Sequence, residues 1–152
     1  MLVPLTLSCF LQAASLQGLP PSVMLTILKV EGGKVGMVSE NTNGTEDLGP
    51  MQINTGVWLK PVAKMHFGGD KEAAYAALRD NGCYNVNVGA WILRQSIDQA
   101  NGDIFEGIGL YHSHTTKYKA RYQTKFRNNF VKMFGIPGAT PATQGQTQEA
   151  QK

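Results

Sequence analysis

Apolar positions recur along this chain at helical spacing, and polar interruptions divide it into short amphipathic segments. Leu5 to Leu16 is helical in composition and ends at Gly18, and Pro20-Pro21 opens a second helix because proline is tolerated in a first turn. Gly36 to Gly49, rich in Asn, Thr, Gly and acidic residues, predicts a loop or a short irregular hairpin. Further helices are predicted at Val57 to His66, Asp70 to Arg79, Asn85 to Ala100, Asp103 to Ser113 and Thr116 to Phe134, with Asp70 and Asp103 as N-caps. No alternating run of strand length competes, and there is no internal repeat. From Ile136 onward Pro, Gly, Ala, Thr and Gln dominate. The expectation is one all-α domain over 1–135 followed by a disordered tail over 136–152.

One position in this pattern is costly. In the second helix Val23, Met24, Ile27 and Leu28 share a stripe with Glu31, which places that acid on a buried face at the last turn, just before Gly32-Gly33. Desolvation and the negative end of the helix dipole both disfavour the ionised form, so a raised pKa and a proton held near neutral pH are predicted. The same spacing also fits a helix-end glutamate that escapes to solvent while the two glycines cap the helix. Glu46 and Asp47 lie just before the glycine turn, within reach of the groove, but in a polar stretch where solvation or capping is the ordinary role.

Asp47-Leu48-Gly49-Pro50-Met51-Gln52-Ile53-Asn54 supplies the next element. With Glu31 it resembles the soluble lytic transglycosylase domain family, which shares the goose-type lysozyme fold, and within it the small members associated with conjugation, type IV pilus and secretion systems. In that family a Glu ends a helix in Glu-Ser-Gly and a Gly-Leu-Met-Gln-Ile segment lines the sugar groove. Here the motifs read Glu31-Gly32-Gly33 and Gly49-Pro50-Met51-Gln52-Ile53. A family Tyr-Asn pair, in Ala-Tyr-Asn-Ala-Gly, corresponds to Tyr111-His112-Ser113-His114 after Gly107-Ile108-Gly109-Leu110: the tyrosine is kept and the asparagine is not. The resemblance runs from Cys9 to Phe134. It implies a compact lysozyme-like helical domain, Glu31 as the catalytic residue, substrate contacts from Gly49, Met51, Gln52, Asn54, Tyr111 and His112, and no cofactor.

An ordinary glycosidase needs two carboxylates, and this chain offers one good candidate. The resemblance implies a scheme that uses one. Glu31 protonates the oxygen between N-acetylmuramic acid and N-acetylglucosamine of peptidoglycan while the substrate acetamido group stabilises the developing cation. It then takes the proton of the muramoyl 6-hydroxyl, which attacks the anomeric carbon and leaves a 1,6-anhydro end. In this scheme Gln52 bonds an acetamido group, Met51 packs on a sugar face, Tyr111 orients Glu31, and His112 adds pH sensitivity. The expected role is local opening of the wall for a conjugation, pilus or secretion apparatus. Two alternatives stay open: a hydrolytic muramidase on the same fold, and a non-catalytic wall-binding assembly factor, for which Gly32 and His112 are departures from the family pattern.

Cys9 and Cys83 have no common metal-motif spacing and fit either one disulfide in an oxidising compartment or two buried thiols. Small secretion-associated transglycosylases carry one cysteine in the first helix and another before an Asn-x-Asn-x-Gly-Ala-Trp stretch, here Asn85 to Trp91, and that resemblance implies the disulfide. The 152 residues, 42% hydrophobic, suit a single domain with a real core. A net charge of +3 and a pI near 8.9 suit approach to an acidic polymer such as cell wall and are too small and dispersed to indicate nucleic acid. Lys117, Lys119, Arg121, Lys125, Arg127 and Lys132, interleaved with Tyr118, Tyr122, Phe126 and Phe130, read as an amphipathic terminal helix with a solvated basic face rather than a nucleic-acid surface. His66, His112 and His114 lack the acid or cysteine spacing of a metal site. Trp58 and Trp91 fall in apolar helical patterns and are expected as core anchors.

The stretch Met1 to Leu11 is apolar, but no Lys or Arg precedes Lys29, Pro4 interrupts it, and it is too short to span a bilayer. It does not read as a complete signal peptide, and Thr6-Leu7-Ser8-Cys9 matches a lipidation site poorly. Cys9 to Ala14 resembles the family's first domain helix. The expectation is a monomer in the periplasm or another extracytoplasmic space, its export signal removed or lying upstream. Non-classical export, or synthesis inside a cell as a phage or plasmid product, are the alternatives.

Overall fold

The computed structural model describes residues 1–136, and the tail expected after Ile136 lies outside the described residues. The order of elements is α1 (Leu7–Leu16), α2 (Pro21–Glu31), β1 (Val38–Glu40), β2 (Glu46–Leu48), β3 (Ile53–Asn54), α3 (Thr55–His66), α4 (Lys71–Asp80), α5 (Gly82–Gln99), α6 (Ile104–His112) and α7 (Thr116–Phe134). Every predicted helix is present, and side-chain caps decide where several begin. Asp70 and Asp103 accept from the backbone N–H groups of Ala73 and Glu106, each at 3.0 Å. Thr6 caps α1 through Cys9, so that helix starts later than its composition indicates. Asn81 accepts from Tyr84 N at 3.0 Å and starts α5 a turn earlier than expected, at Gly82. Asn54 likewise begins α3 before Val57, whose N–H it accepts at 3.2 Å.

The loop or hairpin expected at 36–49 is a hairpin that continues into a third strand. The sheet is antiparallel in the order β1-β2-β3, with Val38 opposite Leu48, Glu40 opposite Glu46, and Asp47 opposite Asn54. Strands this short show no alternation long enough to read. Pleating still sets their sides: Leu48 is wholly buried, and Glu46, on the same side, accepts from the Tyr75 hydroxyl of α4. Asp47 points the other way.

Helix α5 runs through the middle and packs against α1, α4 and α6, while α7 closes over α2 and α6. Val86, Ala90, Leu93 and Ile97 of α5 and Met24 and Ile27 of α2 are at most 1% exposed; burial of each large side chain contributes about 2 kcal/mol. Near the start of α5 the wholly buried Asn85 holds three backbone groups: it donates to Leu48 O and Leu78 O, both at 2.8 Å, and accepts from Met51 N at 2.9 Å. Asn85→Ala would leave all three unpaired in the interior. A stability loss of about 3 kcal/mol or more is expected in urea unfolding.

Cys9 and Cys83 form a disulfide that ties α1 to the first turn of α5. Beside it Val3 bridges to the α4–α5 junction, its N–H donating to Asp80 O and its carbonyl accepting from Gly82 N, each at 2.8 Å. No helix among the described residues is long and apolar enough to cross a membrane.

Candidate active site

Glu31 is the last residue of α2, and the helix stops there because Gly32 adopts a left-handed conformation, φ +64°, returning its N–H to Leu28 O at 3.0 Å. The next residue makes the close approach: a Cβ on Gly33 would lie 2.1 Å from the carbonyl oxygen of Gly49. The end of α2 is thus clamped against the Gly49–Gln52 turn, and the turn is pinned from below by Asn85. A cleft of about 920 Å³ opens here, bounded by Glu31, the sheet, the start of α3, one face of α5 and the α6–α7 junction.

The Glu31 carboxyl is held by one phenol, with Tyr122 Oη donating to Oε1 at 2.8 Å. Its pKa is pushed from 4.5 up to about 7, first by burial; the Asp47 charge adds to the rise, while the Tyr122 hydrogen bond and the Lys125 charge oppose it. Burial thus acts in the direction that the sequence implies. It has a thermodynamic signature, because well below pH 4.5 the group is protonated whether folded or unfolded, whereas between about 4.5 and 7 the unfolded chain is ionised while the folded one keeps its proton, a cost to folding that is complete above about 7. Glu31→Gln should therefore stabilise the protein by up to about 3 kcal/mol at alkaline pH and leave it unchanged below the ordinary carboxylate range, as read by melting temperature against pH.

The other expected site residues divide into two groups. Gln52, Asn54, Tyr111 and His112 line the cleft with Glu31; Gly49 and Met51 do not. Gly49, at φ +69°, packs on Asn85 and Leu78, where a Cβ would collide. Met51 is wholly buried, and its side chain fills the space left by Gly89 on α5. The expected contacts of Gly49 and Met51 with sugar are corrected accordingly: pinning of this turn by Asn85 sends their surfaces inward, and Gln52 emerges. Gln52 is left-handed, φ 51°, a conformation that costs a non-glycine residue about 1 kcal/mol and is retained where surrounding structure fixes it. Its Nε2 donates to Gly49 O at 3.0 Å. Asn54 is also committed, donating to Thr45 Oγ1 at 3.0 Å and Asp47 Oδ1 at 2.9 Å.

Tyr111 does not bond Glu31, contrary to expectation; its hydroxyl donates to Met51 O at 2.9 Å and so braces the turn. The hydroxyl on Glu31 comes from Tyr122, one helix later, because α7 packs along α2. Burial holds the pKa of both phenols well above the ordinary value, so each remains a donor. His112 stacks flat on the Tyr122 ring, with centroids 4.5 Å apart and planes 4° from parallel. Desolvation lowers its pKa, which favours a neutral imidazole. His114 is paired with Gln99 and His66 with Tyr84.

Sequence reasoning missed three features. Tyr122 carries no local signal, since it is one aromatic among several in α7 and only tertiary packing brings it to Glu31. Asp47, within reach of the groove but read as an ordinary loop acid, lines the cleft, and its charge reaches Glu31, Tyr111 and His112. A strand over 46–48 would have flagged it. Trp58, expected only as a core anchor, does meet Trp91 edge to face at 5.6 Å, but it also lines the cleft.

Comparison with known proteins fits this geometry. The family model described as the transglycosylase SLT domain matches residues 8–132. The chain is similar to the invasion protein IagB of Salmonella typhimurium, 30% identical over 133 residues that cover 84% of this chain and 78% of that protein. It is likewise similar to the invasion protein IagB of Salmonella typhi, 30% identical over 130 residues, covering 82% and 76%.

Proposed function

This chain belongs to the transglycosylase SLT domain family, and on that premise we propose that it cleaves the β-1,4 bond between N-acetylmuramic acid and N-acetylglucosamine of peptidoglycan, leaving a 1,6-anhydromuramoyl end. The observation that carries this reading is Glu31, desolvated at the cleft wall and poised near neutral pH. Protonated, it gives its proton to the glycosidic oxygen as the leaving sugar departs. The substrate's own acetamido oxygen stabilises the anomeric cation. The resulting carboxylate, held in place by the Tyr122 hydroxyl, then takes the proton of the 6-hydroxyl as that oxygen closes on the anomeric carbon. The proton Glu31 lost is thereby replaced, and no water is consumed. Gln52, whose Nε2 is engaged by Gly49 O, has its amide oxygen left to accept from an acetamido N–H. Release of soluble fragments from purified sacculi is the test; intact sacculi after incubation would count against cleavage.

Asp47 favours a second reading, hydrolysis on the same fold. It lines the same cleft as Glu31, and a second carboxylate beside the acid is what water-using glycosidases employ. The pH profile and product separate the two. With Glu31 as sole acid and base, Asp47→Asn keeps the anhydro product and moves the alkaline limb of activity to lower pH, because the charge that raises the Glu31 pKa is gone. Tyr122→Phe removes a hydrogen bond that lowers it and moves the same limb upward. Were Asp47 the nucleophile or base of hydrolysis, Asp47→Asn would abolish turnover.

Peptidoglycan lies outside the cytoplasm, and a disulfide persists in an oxidising compartment. Similarity to proteins named for invasion supports a cellular role in opening the wall locally for an apparatus that crosses the envelope.

A further inference from the structure

We propose that the edge of α7 formed by Lys117, Arg121 and Lys125 binds the carboxylates of the peptide side chains carried by a glycan strand in the cleft, making peptide-bearing strands the preferred substrate. The proposal rests on the peptidoglycan reading above and adds a specificity to it.

Lys117, Arg121 and Lys125 are spaced four residues apart and so stand one above another along a single helix edge. All three are exposed. The ion pairs among the described residues are Arg79–Asp80, Arg94–Asp98 and Lys119–Glu106, which leaves this row without a carboxylate partner. The row beside it is the one that meets the cleft: Tyr118 lines it and Tyr122 bonds Glu31. Lys125 joins the two rows electrostatically, since its charge is felt by both Glu31 and His112. Lys117, Arg121 and Lys125 do not line the cleft themselves; they flank, on the same helix, the row that does.

The sheet's share of the cleft lining carries Glu40 and Asp47, so it differs in sign from the basic edge of α7. N-acetylated sugars are neutral and give unpaired cations nothing to bind. The anionic groups of such a strand sit on the peptides linked through the lactyl ether of each muramoyl residue, which project sideways from the glycan. With the glycan in the cleft and carboxylates repelled from the Glu40–Asp47 wall, the basic edge of α7 is the side that attracts them. A nucleic acid fits less well, because its phosphates would have to pass the same acidic wall.

The test compares wild-type protein with the Lys117→Gln/Arg121→Gln double variant on glycan strands that retain their peptides and on strands stripped of them by an amidase. Lys125 is left in place because its charge also acts on Glu31. The expected result is a rise of about fivefold in KM on peptide-bearing strands, with kcat unchanged, and no change on stripped strands. An equal effect on both substrates, or none on either, would overturn the proposal. Cosedimentation of Glu31→Gln protein with peptide-bearing and stripped sacculi reads the same contact without turnover. Charge-dependent binding of the peptide-bearing form with no cleavage by wild type would sink the catalytic reading and keep this one. Cleavage with no such dependence would do the reverse. Loss of binding by the double variant to anionic vesicles or duplex DNA, with wall binding unaffected, would assign the edge to another partner and overturn the proposal.

Discussion

Glu31→Gln should lower turnover of peptidoglycan by roughly 1,000-fold, within the span that positioned acid–base catalysis supplies. The substitution keeps the shape of the side chain and an oxygen for the Tyr122 hydroxyl, so the cleft stays intact while the transferable proton disappears. Both halves of the proposed reaction need that proton, first as donor and then as acceptor, so no partial reaction survives. Binding should persist, because the acetamido and α7-edge contacts do not involve Glu31. Two readouts frame the result: initial rates of fragment release, and cosedimentation with sacculi. On the proposed role in wall opening, wild type but not Glu31→Gln should restore assembly of an envelope-crossing apparatus in a strain lacking this chain. Restoration by the variant would favour the assembly-factor alternative over catalysis.

The second large effect is on stability. Replacing both Cys9 and Cys83 with alanine should cost about 4 kcal/mol in the chain-entropy account of cross-links, because the bond closes a long loop that spans a sequence separation of 74. The bond joins the first turns of α1 and α5, and neither cysteine lines the cleft. The folded variant should therefore keep its rate at low temperature and lose it on mild warming. Urea unfolding should show a lower midpoint and a steeper slope, since the uncrosslinked chain exposes more surface when unfolded. An unchanged midpoint for the variant, or for wild type under reductant, would contradict this. The requirement for the bond also argues that the protein matures where thiols oxidise.

Helices were readable from the sequence because amphipathic stripes and capping residues are local properties. Asp70 and Asp103 mark their helix starts from within a few residues, and the stripe of Val23, Met24, Ile27 and Leu28 places Glu31 on a buried face without any knowledge of what covers it. Strands were not readable, because segments of two or three residues have no period, and with them went the orientation of Asp47. The site was legible in part for the same reason. A motif marks the Gly49–Asn54 segment, but which of its side chains enter the cleft depends on Asn85, a buried asparagine brought in by another helix. Hence Gln52 faces the cleft while Met51 turns toward Gly89. The phenol on Glu31 was beyond local reading altogether: Tyr111 and Tyr122 are equivalent until α7 is packed on α2.

In the proposed reaction Glu31 closes the muramoyl ring on itself instead of admitting water. Mass spectrometry of the fragments that wild-type protein releases from purified sacculi in 18O-enriched water tests it most directly. Muramoyl ends lighter by one water than the reducing sugar and free of the heavy isotope are expected, with no such fragments from Glu31→Gln. Reducing ends that carry 18O at the anomeric carbon would contradict it and make the protein a hydrolase.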